Sequence, residues 1–145
     1  MKLINSFCAG LLLSLAILFT IFVGIKINYF NYYAINEFFN VIFVDNINFY
    51  ILLPISTALG YLLLYFRFKK IIIAFYLICL IVCVCSWSEH IGKQIGEFLF
   101  MSEPYEKIIT YNNETKKIKL ITMYEGRDKV YLRIDGTNTV FSNKK

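Results

Sequence analysis

"YLLLYFRFKKIIIAFYL" (Tyr61–Leu77) joins two apolar runs through four residues, Arg67, Phe68, Lys69 and Lys70, three of them cationic. Upstream, Phe49–Phe66 carries no charge over 18 residues, and downstream Ile71–Trp87 carries none over 17. An α-helix needs about 20 apolar residues to cross a hydrocarbon layer of about 30 Å. Each run sits at the short end of that requirement, with Tyr50, Tyr65 and Trp87 placed where headgroups would meet aromatic rings. A link of four residues permits only a tight antiparallel hairpin, so the quoted stretch reads as two membrane helices turned back to back at a basic hinge. Pro54 falls early in the first of them, where a missing N–H does least harm.

Working outward toward the N-terminus, Phe7–Ile25 is a third uncharged run, of 19 residues. It is longer than the apolar core of a secretory signal, and no small-residue cleavage site follows it, so the expectation is an uncleaved anchor. The fold class expected is therefore an α-helical integral membrane protein with three transmembrane helices, about 7–25, 49–66 and 71–87, forming a membrane domain over residues 1–88. Composition agrees, since 58% of the 145 residues are hydrophobic, more than a soluble domain of this length can bury.

Positive charge sets the expected orientation. Short cytoplasmic loops collect Lys and Arg, and with three spans Lys2 lies on the same side as Arg67, Lys69 and Lys70, against Lys26 and Lys93 on the other. The N-terminus and hinge are then cytoplasmic. Everything after Trp87 is exported, which in a bacterial inner membrane means a periplasmic or extracellular C-terminal domain.

The 21 residues Asn28–Asn48 carry Ile35, Phe38, Phe39, Ile42 and Phe43 at i, i+3, i+4, i+7 and i+8, with Asn36, Glu37 and Asn40 opposite. That stripe predicts an amphipathic helix over about 32–44 lying in the membrane interface, or docked on protein. A second amphipathic helix is expected over about 89–101, with Ile91, Ile95, Phe98 and Leu99 on its apolar face and Pro104 beyond its end. Gly92 and Gly96 form a small-x-x-x-small pair, but in so polar a segment they read as tolerated glycines rather than a contact.

From Tyr105 the apolar period changes to two. Strands are expected at about 106–111, 116–125, 129–134 and 139–142, with Ile118, Leu120, Tyr124, Val130, Leu132 and Ile134 inward, giving a small C-terminal α+β domain over 89–145 built on an antiparallel meander of three to four strands. The preceding helix would cover its apolar face. So thin a core without disulfides or metal implies support from the membrane stem, self-association or a partner.

Chemistry is sparse. The four cysteines, Cys8, Cys79, Cys83 and Cys85, all lie in apolar runs without a neighbouring histidine or carboxylate, and read as small apolar fillers. His90, the single histidine, stands beside Glu89 without a nucleophile or third group. No nucleophile elbow, zinc-protease helix, phosphate loop or dinucleotide turn is present, so no catalytic residue, cofactor or metal is expected. The apolar runs hold no ionisable group of the kind that pumps place in the bilayer. The net charge of +5 divides into +3 over residues 1–88 and +2 over 89–145, too even for a nucleic-acid footprint. Lys116, Lys117 and Lys119, with Arg133 nearby across the sheet, form a basic cluster suited to an anionic ligand or headgroups, although such lysines commonly guard a strand edge. Asn113 begins a glycosylation sequon.

The expected function is a non-enzymatic inner-membrane accessory or assembly protein that presents a small β domain to an envelope partner. The partners are membrane lipid and another membrane or periplasmic protein, or a second copy of the chain. Ile35, Phe38, Phe39, Ile42, Phe43, Lys116, Lys117, Lys119 and Arg133 form its candidate interaction surface. Size and span count also suit an immunity protein against a pore-forming toxin and, less well, a small pore-former.

Overall fold

The computed structural model describes residues 1–111, 114–137 and 139–145, and for 108–111 and 114–116 the backbone alone. Helix α1 spans Lys2–Ile25 and runs without a break into a π-helical turn, Lys26–Phe30. Together they make one rod of 29 residues, about 43 Å long. That exceeds a hydrocarbon layer by two turns or more, so the rod is long enough to carry other structure at its Lys26–Phe30 end.

The rod ends at Ala34, which adopts a left-handed conformation at φ 52° while the amide of Ile35 closes on the Phe30 carbonyl at 2.8 Å. This is the usual left-handed helix ending, with alanine where glycine fits better. Ala34 is exposed, so Ala34→Gly is expected to stabilise the fold by about 0.5–1 kcal/mol. A rise in the denaturation midpoint without a change in cooperativity would check it.

Beyond Ala34 the chain departs from the helix expected over 32–44. Residues 35–38 are not helical, and α2 is confined to Phe39–Asp45. It meets α3, Phe49–Tyr65, at a bend of 83°. Helix α4, Lys69–Val84, follows the two-residue hinge turn, and a 3₁₀ turn at Cys85–Trp87 leads into α5, Glu89–Phe100. Among the described residues two helices are long and apolar enough to cross a membrane, and the bent α2–α3 pair makes a third candidate.

Helices α1 and α3 run antiparallel along a seam of small residues. Ser6, Gly10 and Ser14 recur at every fourth position on α1, and Ser56 and Gly60 do so on α3, all buried. A Cβ on Gly10 would collide with the Ser56 carbonyl, and one on Gly60 with the Ser6 carbonyl. The backbones touch, which only small residues allow.

The C-terminal sheet is an antiparallel meander, β1 Tyr105–Tyr111, β2 Glu114–Glu125, β3 Lys129–Ile134 and β4 Val140–Lys144, in that spatial order. A bulge interrupts β2, where Thr122 opposes Leu132 but Tyr124 opposes Tyr131, leaving Met123 as the extra residue. A bulge shifts the side-chain alternation by one. This corrects the expected inward set at Leu120 and Leu132, while Tyr124 is inward as expected. Ile121, Met123, Tyr124 and Tyr131 face the helices, while Leu120 and Leu132 are buried on the other face, in register with Tyr105 and Phe141.

What covers the sheet also differs from expectation. One continuous core joins Phe22, Ile25, Tyr29 and Phe30 of the α1 rod, Tyr33 and Ile35 of the turn, and Ile42 of α2 to the four sheet residues. Helix α5 adds Ile95 and Phe100 at its margin. Its Phe98 is 88% exposed, and Ile91 and Leu99 are exposed too. The face of α5 that packs is its glycine face. A Cβ on Gly92 would meet the Ser86 carbonyl and the Asn28 side chain, and one on Gly96 would enter the Tyr29 ring, so these glycines make the contact that the polar character of the segment had argued against.

Candidate interaction surface

The junction of rod, elbow and sheet is held by a few polar side chains set among aromatic rings. Asn28 lies in the π-helical turn, buried, and its Nδ2 donates to the carbonyls of Ser86 at 3.2 Å, Trp87 at 3.0 Å and Ser88 at 3.2 Å. Those carbonyls sit where α4 stops and α5 begins, and that of Ser88 also accepts from the Gly92 amide at 2.9 Å. A second tie comes from Trp87, whose Nε1 donates to the Thr20 carbonyl at 3.0 Å. The elbow between α4 and α5 is therefore fastened to α1 at two heights. Replacing Asn28 by alanine takes this donor from the Ser86 and Trp87 carbonyls at a cost of about 1–3 kcal/mol. Asn28→Asp is expected to cost more, since a carboxylate only accepts and would face three carbonyls. Cleavage by a protease at the Ser86–Glu89 elbow, slow in the parent and fast in N28D, is the measurement.

Phenols make the remaining ties. Tyr29 Oη donates to the Met123 carbonyl at 2.6 Å, linking rod to β2, and Tyr131 Oη donates to the Asn36 carbonyl at 2.7 Å, linking β3 to the extended segment. Tyr33 Oη donates to Glu97 Oε1 at 2.6 Å, linking the turn to α5. Burial pushes the Tyr33 phenol above its ordinary value near 10, and the Glu97 carboxylate adds to this. Burial likewise raises Tyr124 and Tyr131. In each case folding favours the neutral phenol, so the contribution is fully present below pH 10 and is lost as pH rises from there through the folded values. Absorbance of tyrosinate near 295 nm should climb cooperatively with loss of the strand signal above pH 10, rather than as independent surface titrations.

The expected surface residues separate into three environments. Ile35 and Ile42 are buried at 1% and 0% in the core, and so are not available to lipid or partner. Phe39 and Phe43 stack on each other with centroids 5.7 Å apart and set their edges against Phe19. Phe38 is 76% exposed and stands apart from them. The five do not form one stripe.

Among the cations, register puts Lys117, Lys119 and Arg133 on one face of the sheet, with Glu106 between the lysines and 3.9 Å from Lys117. Lys116 lies among the residues whose side chains are not described, and Asn113 lies outside the described residues. Arg133 is drawn toward the helices, its guanidinium 5.5 Å from the centre of the Tyr33 ring, with Nε buried and unpaired among the described residues. Lys93 caps the same aromatic pair from α5, its Nζ 3.6 Å from the Tyr32 ring centre and 5.4 Å from that of Tyr33. A cluster of Lys93, Arg133, Glu97, Tyr32 and Tyr33 thus replaces the lysine cluster as the most organised polar group on this side. Its members are dispersed over 102 residues of chain, and no local spacing signals it. Asp45 and Arg127 close the opposite flank, with Arg127 Nε 2.7 Å from Asp45 Oδ2 and Nη2 on Oδ1, and the Arg127 guanidinium holds the Asp45 carboxyl below its ordinary range.

This arrangement offers surface, rigidity and charge, with no nucleophile and base brought together among the described residues. Comparison with protein-family models, with curated proteins and with solved structures finds no match.

Proposed function

We propose that the chain is a multi-pass protein of the bacterial inner membrane, non-enzymatic, that holds its C-terminal sheet as a fixed platform for another envelope protein. The observation carrying this reading is the shared core. Tyr29 and Phe30 stand on the same rod as the apolar stretch of α1, and Phe30 meets Tyr124 of the sheet with ring centroids 5.0 Å apart. A sheet fixed in this way keeps a set height and attitude above the helices, which suits docking at a defined distance from a membrane. The face of the sheet turned from the helices carries Tyr105 and Phe141, both partly exposed, over buried Leu120 and Leu132.

Charge supports the N-terminus and hinge as the cytoplasmic side. Lys2 Nζ lies 5.8 Å from the Tyr65 ring centre, so Lys2 shares an end of the bundle with Arg67, Lys69 and Lys70, opposite the sheet. Four cations at that end obey the bias toward cytoplasmic Lys and Arg. The test joins two measurements on one tagged chain. Alkaline phosphatase fused after Lys145 should be active and a fluorescent protein fused after Phe68 should glow, and the gently solubilised chain should bring down an envelope protein that Phe141→Asp releases. A monodisperse monomer without a partner would sink the platform reading.

A further inference from the structure

We infer that the groove between α1, α3 and α4 seats one acyl chain of a membrane phospholipid; this rests on the membrane reading above. Helix α3 is pressed against α1 by the glycine seam, whereas α4 stands off and reaches α1 through longer side chains, with Tyr76 Oη on the Leu13 carbonyl at 3.1 Å. The gap is a partly open cavity of about 460 Å³, within the range of small-molecule sites. Leu18, Ile51, Ile55, Leu59, Ile72 and Phe75 form its walls, and no charged residue lines it.

Its dimensions select the occupant. On α3 the lining runs from Asn48 to Leu59, a rise of about 16 Å, close to half of a hydrocarbon layer of about 30 Å. The groove is therefore one leaflet deep. A hydrocarbon chain extended along this lining would run from the mouth to about the middle of the layer.

Polarity then fixes the direction. Asn46 and Asn48 line the groove at the end nearer the sheet, where ester and headgroup atoms would lie. The neighbouring Asp45 is already engaged by Arg127, so the mouth offers amides rather than a free charge. Recognition is of chain and ester region, and headgroup charge should matter little.

The full chain would be reconstituted in bilayers of equal phosphatidylcholine and phosphatidylglycerol, washed with urea, extracted in mild detergent and examined by native mass spectrometry. One phospholipid retained per chain, of either headgroup, is expected. Ile55→Trp should lower retention at least tenfold, because Ile55 is 56% exposed and its enlargement fills the groove without entering the core. Leu64→Trp, also on α3 but outside the lining, should not, and equal near-ultraviolet spectra would confirm that both variants fold. A chain that stays in the bilayer through urea but carries no lipid, or whose retention Ile55→Trp leaves unchanged, overturns the inference alone. A strong preference for the anionic lipid overturns the chain-and-ester reading of the mouth. Release by urea overturns the membrane reading and this inference together.

Discussion

Gly10→Leu is expected to cost about 3 kcal/mol or more and to separate α1 from α3. Overpacked cores ordinarily lose about 1–3 kcal/mol because side chains shift to make room. Here the new Cβ would strike the Ser56 carbonyl and the Gly60 amide, which are backbone, and backbone can yield only by moving a helix. Gly60→Val attacks the same contact from α3, against the Ser6 carbonyl, and should match Gly10→Leu in size. Combined, the two should cost much less than their sum, since either alone already opens the seam. Ala58→Leu, on the exposed side of α3, is the control and should fall within about 0.5 kcal/mol of the parent. Denaturant titration in detergent, followed by near-ultraviolet dichroism, reads all four. Parent-like stability for Gly10→Leu would mean that the two helices do not meet along this line.

Phe30→Ala is the second large effect, expected at about 3–5 kcal/mol, and its character should differ. Phe30 is fully buried and packs edge to face on Tyr29, Phe100 and Tyr124, with centroids 5.4, 5.4 and 5.0 Å away. It is the point where rod, α5 and sheet share one ring cluster. Its removal should release the sheet while leaving the α1–α3 seam intact. Trypsin cleavage at Arg127, in the exposed turn between β2 and β3, and at Lys129, exposed at the start of β3, should accelerate while helix content persists. Tyr29→Phe provides the finer comparison, since it removes only the hydrogen bond to the Met123 carbonyl and should cost about 1 kcal/mol. If Phe30→Ala melted helices and sheet together, the shared core would be a single cooperative unit and not a weld between two.

The groove bears on both results. Gly10→Leu moves one wall of it, so lipid retention should fall along with the seam, whereas Phe30→Ala acts above the groove and should leave retention unchanged. That contrast separates a lipid site formed by the helices from one that depends on the sheet.

Apolar runs and strand alternation are written locally, and could be read. The run from Phe49 to Phe66 lies over α3, that from Ile71 to Trp87 over α4 and its 3₁₀ turn, and period two after Tyr105 over the strands. Burial partners are not local. The stripe Ile35, Phe38, Phe39, Ile42, Phe43 has helical spacing, yet Ile35 gains more by entering the Tyr29–Tyr124 core in extended form than by extending α2 by a turn. The bulge at Met123 lets Ile121 and Tyr124 share the helix-facing side of β2 through one residue that no period announces, so Tyr124 lies inward as its spacing predicts and Leu120 does not.

Length, charge and the spacing of apolar residues determined, by themselves, that the chain holds a helical hairpin at a basic hinge, a long apolar N-terminal helix and a C-terminal meander, because each depends on neighbours within about 20 positions. Only the tertiary structure decided that α1 continues as a rod into the sheet's core, that Gly92 and Gly96 exist to admit Asn28 and Tyr29, and that Lys93, Glu97 and Arg133 gather on one pair of tyrosines. Asn28 and Ser86 stand 58 positions apart, and Tyr29 and Met123 stand 94 apart. A glycine reads as a gap until the ring that fills it is in place.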